Sequence, residues 1–383
     1  MLILLYTISE ACWQGTGSKL LERGWEPVQG AGFLIRPLRN AIELYRRPLR
    51  FNKDSGIPVQ TGEALLVRYF SDTGSAYGTT VVAVGLQGDA VPALGAELHG
   101  LERIDPWAHA VKGVLGGALG NLVECGDAET KPFQPIGRAA LITNGDDLQP
   151  ISAVTDELHA DSHPAVAAAS QFLRKSTTLG RREHHWYEPD DDATKVVGTA
   201  SGFVVFSANN RFTKRTEGGL NQMERFIILH GLAYAYRQAL MHPSDWLATD
   251  WQGSPSTLHE AEANYHAVQV LYDKQVKFQA RYLFSAPVDI DRPEVYGMAE
   301  AVLRWRGISH LRSDLESQLG RLQGLAARFL AEREASRRQI EARRSALRQW
   351  LFYGTLTLLG FVIAGGDFAL SLLAEAERLP FID

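Results

Sequence analysis

The feature that most constrains the fold is a helical pattern that runs from residue 308 to residue 374 and changes character along its length. In its first half, apolar residues recur at heptad spacing, which is typical of a helix that packs against another helix. These residues are Ile308, Leu311, Leu315, Leu322, Leu325 and Phe329. Arginines interleaved with glutamates follow, and Leu351 to Ala374 then holds a single formal charge, Asp367. The pattern predicts one helix that begins as a coiled-coil-like stalk and ends in an apolar environment.

The apolar run from Leu351 to Ala374 is long enough to cross a membrane. As a helix it would extend about 36 Å, against a hydrocarbon core of about 30 Å. Arginines precede the run and glutamates follow it, which predicts a single pass through the inner (cytoplasmic) membrane with the bulk of the chain in the cytoplasm. We therefore expect Arg343, Arg344, Arg348 and Trp350 to lie at the lipid interface.

Three residues near the end of this run interrupt its apolar character: Gly365, Gly366 and Asp367. An ionisable residue at membrane depth is expected to face the interior of a bundle, so these three are candidate residues of a pore in a homo-oligomer. Asp367 could instead cap the helix near the far interface. The whole run could also be a buried core helix, or an oligomerisation hairpin broken at Gly365 and Gly366.

The first half of the chain alternates strand and helix patterns, whereas the second half is helical throughout. The strands are predicted at Leu2–Ile8, Glu63–Phe70, Thr79–Leu86, Arg138–Thr143 and Gly198–Ser207, and the helices at Asp105–Val123, Pro164–Arg174, Glu217–Met241 and Thr257–Phe284. A helical turn at Ala41–Tyr45 is predicted to end before Pro48, and the helix from Glu217 before Pro243. The fold class is thus an α/β (α+β) head over residues 1–210, a long-helix domain over 211–305, a coiled-coil-like stalk over 306–349, and a transmembrane segment with a short tail over 350–383.

Composition excludes some classes of function. A formal net charge of −5 and a pI near 6.1 argue against direct nucleic-acid binding through phosphate contacts. The two cysteines, Cys12 and Cys125, are too few for a disulfide framework, which suits a reducing cytosol.

A cluster of imidazoles and carboxylates between residues 183 and 192 is the stretch that most suggests chemistry. His184, His185, Asp190, Asp191 and Asp192 are residue types that hold a divalent cation. A metal-dependent hydrolase built on them is one hypothesis, and a solvated loop is the alternative. No nucleotide-binding loop, serine-nucleophile motif or cysteine–histidine pair is recognisable, so the sequence does not otherwise indicate an enzyme.

The order of parts resembles that of the CorA-like magnesium-transporter superfamily. The resemblance covers roughly Glu217 to Ala374 and implies a long pore-lining helix in an oligomer that conducts a divalent cation. That family carries a Gly-Met-Asn triplet at the end of its first membrane helix and has two membrane helices. Here Gly297-Met298 is followed by Ala299, Gly365-Gly366-Asp367 stands near the terminus instead, and one apolar run is present.

These patterns together predict a homo-oligomeric membrane protein. Its cytoplasmic head would sense a small-molecule ligand or protein partner and control a small membrane bundle, as a cation channel or as a membrane-perturbing effector of bacterial defence. The alternative is a recognition or scaffold module whose terminal apolar helix only tethers it to the bilayer or binds a partner.

Overall fold

The computed structural model describes residues 1–51, 61–71, 77–86, 104–124, 131–143, 164–174, 185–187, 194–207, 210–215, 219–250 and 254–376. These residues group into two compact units. The first combines Met1–Thr249 with Asp273–Ser317, and the second combines Asp250–Tyr272 with Gln318–Asp383. An N-terminal mixed-sheet domain followed by a long helical region, as predicted, is confirmed.

The first unit is built on a sheet of nine strands within the described residues, in the order β2-β3-β4-β5-β1-β6-β9-β8-β7. Only β6 and β9 pair in parallel, and the other neighbouring strands are antiparallel. The strands are β1 (Leu2–Ile8), β2 (Glu26–Pro27), β3 (Ile42–Arg50), β4 (Thr61–Tyr69), β5 (Thr79–Leu86), β6 (Phe133–Ile142), β7 (His185–Tyr187), β8 (Thr194–Thr199) and β9 (Gly202–Ser207).

Helices connect and cover the strands and then form the remainder of the described chain. They are α1 (Gly17–Glu22), α2 (Arg36–Asn40), α3 (Ile104–Leu119), α4 (Pro164–Arg174), α5 (Gln222–Asp250), α6 (Leu258–Tyr282), α7 (Pro293–Trp305) and α8 (Ile308–Ala376). Short 3-10 helices lie at Glu10–Cys12, Ala31–Phe33, Gly120–Leu122 and Asn210–Phe212.

One face of the sheet carries a core shared with α3 and α4. Alternate residues of β1, Leu2 and Leu4 among them, pack in one buried cluster with Leu115 of α3 and Phe172 of α4. The period of two along a strand sends the intervening residues, such as Ile3, to the opposite face. Because both faces are covered, β1 reads as a continuous apolar run rather than an alternating one.

The opposite face of the sheet is covered by α5 and α7. The Tyr69 hydroxyl of β4 donates to the Ile228 carbonyl of α5 at 2.7 Å, and the Phe203 ring of β9 lies 6.2 Å from that of Phe226. Trp305 at the end of α7 packs directly on Gly198 of β8, where a Cβ atom would overlap the indole. The sheet is therefore enclosed between two helical layers.

The long helix α8 begins directly after α7 but is not continuous with it. Helix α7 ends at Trp305 with Arg306 as its C-cap, and Gly307 adopts a left-handed φ of 64° before α8 starts at Ile308. Glycine takes this conformation without the steric cost that a side chain brings. The stalk is therefore a separate helix from α7.

In the second unit, the first part of α6 runs antiparallel to the middle of α8. The Gln323 side chain donates to Gln269 at 3.1 Å, and Arg333 donates to the Pro255 carbonyl at 2.6 Å. Leu319 and Ala326 of α8 are buried, whereas Leu325, expected in the apolar seam, is 45% exposed. Ile308 and Leu315 are buried as predicted, so only the second apolar position of the heptad is displaced, by one residue.

Three local predictions differ from the structure. Of the helical turn predicted at Ala41–Tyr45, Ile42–Tyr45 belongs to strand β3, which includes Pro48. Pro48 is tolerated because, within the described residues, β2 pairs only with Tyr45 and Arg46 and leaves that edge of β3 unpaired at Pro48. Helix α5 continues through Pro243, since packing holds the preceding turn, where Ala239 and Leu240 are buried. The single strand expected at Gly198–Ser207 is a hairpin of β8 and β9.

Two further findings bear on the sequence expectations. None of the helices, over the residues that the structure describes, combines the length and apolar character needed to cross a membrane. Cys12 is disulfide-bonded, and the reducing cytosol that the small number of cysteines suggested stays a prediction.

Candidate functional site

The predicted metal cluster falls mostly outside the described residues. His184, Asp190, Asp191 and Asp192 are not described, and His185 begins β7, where its backbone pairs with Gly198 of β8. Across the described ranges, no group of three or more histidine, cysteine or acidic side chains is placed to hold a metal ion. The metal site stays a prediction.

The predicted pore residues Gly365, Gly366 and Asp367 all lie inside α8. The helix passes through the two glycines without a break, so the alternative of a hairpin broken at these positions is wrong. Their role in a pore stays a prediction.

The predicted lipid-interface residues are exposed on α8, and their arginines differ from those before them. Arg312, Arg328 and Arg337 each pair with a glutamate four residues further along, and Arg338 pairs with Glu334. Within the described chain, by contrast, Arg343, Arg344 and Arg348 form no ion pair. The two turns before Trp350 therefore carry positive charge that no described side chain neutralises through an ion pair.

The helix surface that follows these arginines is apolar and exposed; we call residues 350–363 the apolar section. Its exposed large side chains are Trp350, Leu351, Phe352, Tyr353, Leu356, Leu358, Leu359, Val362 and Ile363. Consecutive helical residues point about 100° apart, so the first four already surround the helix. Each is more than half exposed. A helix that is apolar all round is normally buried in a core or in lipid.

A pocket of about 450 Å³ opens in the sheet domain between the sheet and the start of α5. Its floor follows from the strand register: Gly85 of β5 lies between Glu63 of β4 and Ile3 of β1, and Ala83 lies opposite Leu65. The pocket is lined by Met1, Ile3, Thr61, Gly62, Glu63, Leu65, Ala83, Gly85, Thr213, Arg215, Asn221, Met223, Glu224 and Ile227.

Two arginines and two glutamates form a network at one side of the pocket. Arg46 of β3 donates to Glu224 at 2.7 Å and lies 3.5 Å from Glu63. Arg215 pairs with Glu63 and lies 3.4 Å from Glu224. The side chains of Arg46 and Glu224 are nearly buried, whereas those of Glu63 and Arg215 are 36% and 41% exposed. An inner ion pair thus supports an outer one at the pocket mouth.

Glu224 is held in place by the start of α5. Its backbone N–H donates to the Asn221 side chain at 2.8 Å, and its carboxylate accepts from the Asn221 N–H at 2.7 Å. This reciprocal arrangement is a capping box, which satisfies two backbone donors at a helix N-terminus. One carboxylate therefore serves both the helix start and the ion network.

A second polar cluster lies buried under α5 near the end of α7. Arg306 donates to Nε2 of His230 at 2.8 Å, and its guanidinium lies 5.1 Å from the centre of the Tyr234 ring. Burial, together with the charge of Arg306, lowers the pKa of His230 well below its usual value. Burial, together with the nearby Arg237, lowers the pKa of Arg306 to about 10. His230 is therefore neutral and acts as the acceptor for a buried cation.

Sequence reasoning missed both the pocket and this buried cluster. Asn221 and Glu224 have the spacing of a capping box, which was readable from the sequence. Arg46, Glu63 and Arg215 carry no local signal, since the contacts that join them to Glu224 depend on the register of distant strands.

The chain matches none of the protein-family models, and no curated protein or solved structure is significantly similar to it.

Proposed function

We propose that this protein is a membrane-attached homo-oligomer whose sheet domain serves as a sensor. The observation that carries the proposal is the apolar section of α8, which exposes large apolar side chains on all sides. Burying one such side chain contributes about 1.5–3 kcal/mol. A contiguous apolar surface of this kind marks an interaction or membrane site in a soluble protein.

The polar groups inside the apolar section support a lipid environment. Thr355 donates its hydroxyl hydrogen to the carbonyls of Leu351 and Phe352, at 2.9 and 2.8 Å, and Thr357 donates to Tyr353 at 2.7 Å. These hydroxyls therefore need no water. In lipid, polar groups must be satisfied within the segment itself, and a helix meets this requirement for its backbone as well.

Self-association is supported by the small residues of the section. A Cβ atom placed at Gly354 or Gly360 would meet no atom within 4 Å, so both positions leave open space beside the helix. Small residues allow helices to approach closely in lipid, where van der Waals packing drives their association. Copies of the same helix are the simplest partners for this surface, because no other chain has to be assumed.

The order of parts also makes ion passage the activity to assay, because it is similar to that of CorA-like transporters. The alternative is a simple tether, which tolerates any apolar sequence. Replacing Leu351 to Ala374 with a plain leucine span separates the two functions. A tether stays attached to the membrane and its behaviour in the ion-flux assay does not change. A channel also stays attached but loses ion flux through reconstituted vesicles.

The attachment itself is tested by flotation of the full chain with phosphatidylcholine vesicles and by its mass in detergent. We expect the native chain to float and to form a defined oligomer. Leu359→Asp with Val362→Asp should abolish both, because each carboxylate is costly in lipid. Ile290→Asp is the matched control, since Ile290 is equally exposed but lies in the sheet domain. A native chain that stays monomeric and does not float would overturn the proposal.

A further inference from the structure

The pocket of the sheet domain is present because two residues on the sheet face are small. Ala83 and Gly85 of β5 stand where larger side chains would fill the space above the strands. A Cβ atom at Gly85 would lie in ordinary van der Waals contact, 3.8 Å from the Glu63 carbonyl oxygen and 3.9 Å from Met1 Sδ, so this position can accept a side chain without a clash. A volume of about 450 Å³ lies within the range of small-molecule pockets.

The pocket has both aliphatic and polar walls, and its aliphatic part is formed by the sheet and the start of α5. Ile3, Leu65 and Ile227 supply branched side chains, and Met1 and Met223 complete the apolar lining. None of the described residues that line it carries an aromatic ring. Flat heteroaromatic ligands usually stack on such rings, so these walls suit an aliphatic group better than a base.

The charges at the mouth are balanced. Glu63 and Arg215 form the outer pair, and Arg46 and Glu224 form the inner pair. Arg46 does not line the pocket, so a ligand with only a negative charge would meet the outer carboxylate of Glu63, and one with only a positive charge would meet the outer guanidinium of Arg215. A ligand that carries both charges would satisfy both signs when it separates the outer pair.

We propose that the pocket binds a small aliphatic zwitterion of the size of a branched-chain amino acid. The ligand carboxylate accepts from the guanidinium of Arg215, whose planar fork suits two parallel hydrogen bonds. The ligand ammonium donates to Glu63, and the aliphatic side chain lies over Ala83 and Gly85. Exposed ion pairs contribute little stability, so the outer pair opens readily.

The inner pair holds the two ligand-binding groups in position. Arg46 lies 3.5 Å from Glu63, and Glu224 lies 3.4 Å from Arg215, so each outer side chain keeps a partner when the ligand enters. Glu224 is itself fixed by the capping box of α5. The site is therefore organised before the ligand arrives, which lowers the ordering cost of binding.

The proposal is tested by calorimetric titration of the full chain with leucine and three analogues. These analogues are 4-methylpentanoate, which lacks the amine, 3-methylbutylamine, which lacks the carboxylate, and glycine, which lacks the aliphatic group. We expect leucine to bind and each analogue to bind at least about tenfold more weakly. No binding of leucine at about 10 mM, or equal binding of either singly charged analogue, would overturn the proposal.

Variants place the binding in this pocket. Gly85→Leu fills the hollow, and Arg215→Gln removes the carboxylate partner; each should weaken leucine binding at least about tenfold. Arg312→Gln is the matched control, because it removes an exposed ion pair elsewhere. If Gly85→Leu disturbs the fold, Arg215→Gln still decides the outcome, since this side chain is partly exposed. Leucine binding that survives Arg215→Gln contradicts the assignment, whether or not the protein attaches to membranes.

Discussion

The sheet domain and the last part of α8 differ in where their apolar side chains lie and in whether their charged side chains are paired. In the sheet domain, apolar side chains are buried on both faces of the sheet, and Arg46 and Glu224 neutralise each other at 2.7 Å. From Arg343 onward, α8 exposes unpaired arginines and then the apolar section. Among the described residues, the first region thus buries its apolar side chains and pairs its charges, whereas the second leaves both exposed.

The largest expected difference between the regions is in the free energy of unfolding. Phe203 of β9 is fully buried and contacts the rings of Phe226 and His230, so Phe203→Ala should cost about 3–5 kcal/mol. Leu359→Ala in the apolar section removes an exposed side chain and should change stability by less than about 0.5 kcal/mol. Denaturation followed by tryptophan fluorescence measures both, because Trp25 and Trp305 are buried in the sheet domain. An equal loss of unfolding free energy in the two variants would contradict the difference between the two regions.

The unpaired arginines should matter for lipid charge, and the paired ones should not. Each arginine near an anionic surface contributes about 1 kcal/mol, so changing Arg343, Arg344 and Arg348 together to glutamine should weaken binding to phosphatidylserine-containing vesicles about a hundredfold. The same triple change at Arg328, Arg337 and Arg338 is the control, since glutamates already neutralise those side chains. Cosedimentation at low and high salt measures both variants. Equal losses would show that pairing on the helix is irrelevant to binding.

The buried His230 should make the sheet domain alone sensitive to mild acid. Its pKa in the folded chain lies well below 6.5, whereas in the unfolded chain it is near 6.5. The unfolded state therefore takes up the proton first, and stability present above pH 6.5 is lost as the pH falls below it. Among the described residues, the charged group that contacts the imidazole is Arg306, and the groups that act on Arg306 are Arg237 and Tyr234; none of them is a carboxylate that would stabilise the protonated form.

Between pH 7 and 5.5 this single group should cost about 1 kcal/mol. His230→Gln keeps an acceptor for Arg306 but cannot titrate, so its stability should fall less over the same interval. Urea unfolding at several pH values gives the comparison. Parallel pH profiles for the two proteins would mean that His230 does not titrate on unfolding as described.

The sequence predicted well what depends on local pattern. Thr79–Leu86 and Pro164–Arg174 have the same bounds in the structure, because the β-rich run and the helix-opening proline are local signals. Two predictions that rested on proline were wrong. At Pro48 the edge of β3 tolerates the missing N–H donor, and at Pro243 tertiary packing keeps the helix intact. The turn between β8 and β9 was missed although Ser201-Gly202 is a dipeptide that marks turns.

The candidate sites also differ in whether a local sequence pattern could predict them. The arginines and the apolar section follow one another along a single helix, so their adjacency was visible in the sequence. The pocket joins Glu63 to Arg215 and Arg46 to Glu224, pairs that lie more than a hundred residues apart. Only the strand register and the placement of α5 on the sheet bring them together, and no local pattern encodes either.

The round distribution of side chains in the apolar section has a consequence for how its sequence can vary. A helix with one apolar stripe must present that stripe to its partner, so the order of its residues matters. Here every rotation about the helix axis offers a comparable surface, because consecutive positions from Trp350 to Tyr353 are all large and exposed. Attachment should then depend on the composition of the section and hardly on its order, so that a shuffled version of residues 351–363 attaches as well as the native one.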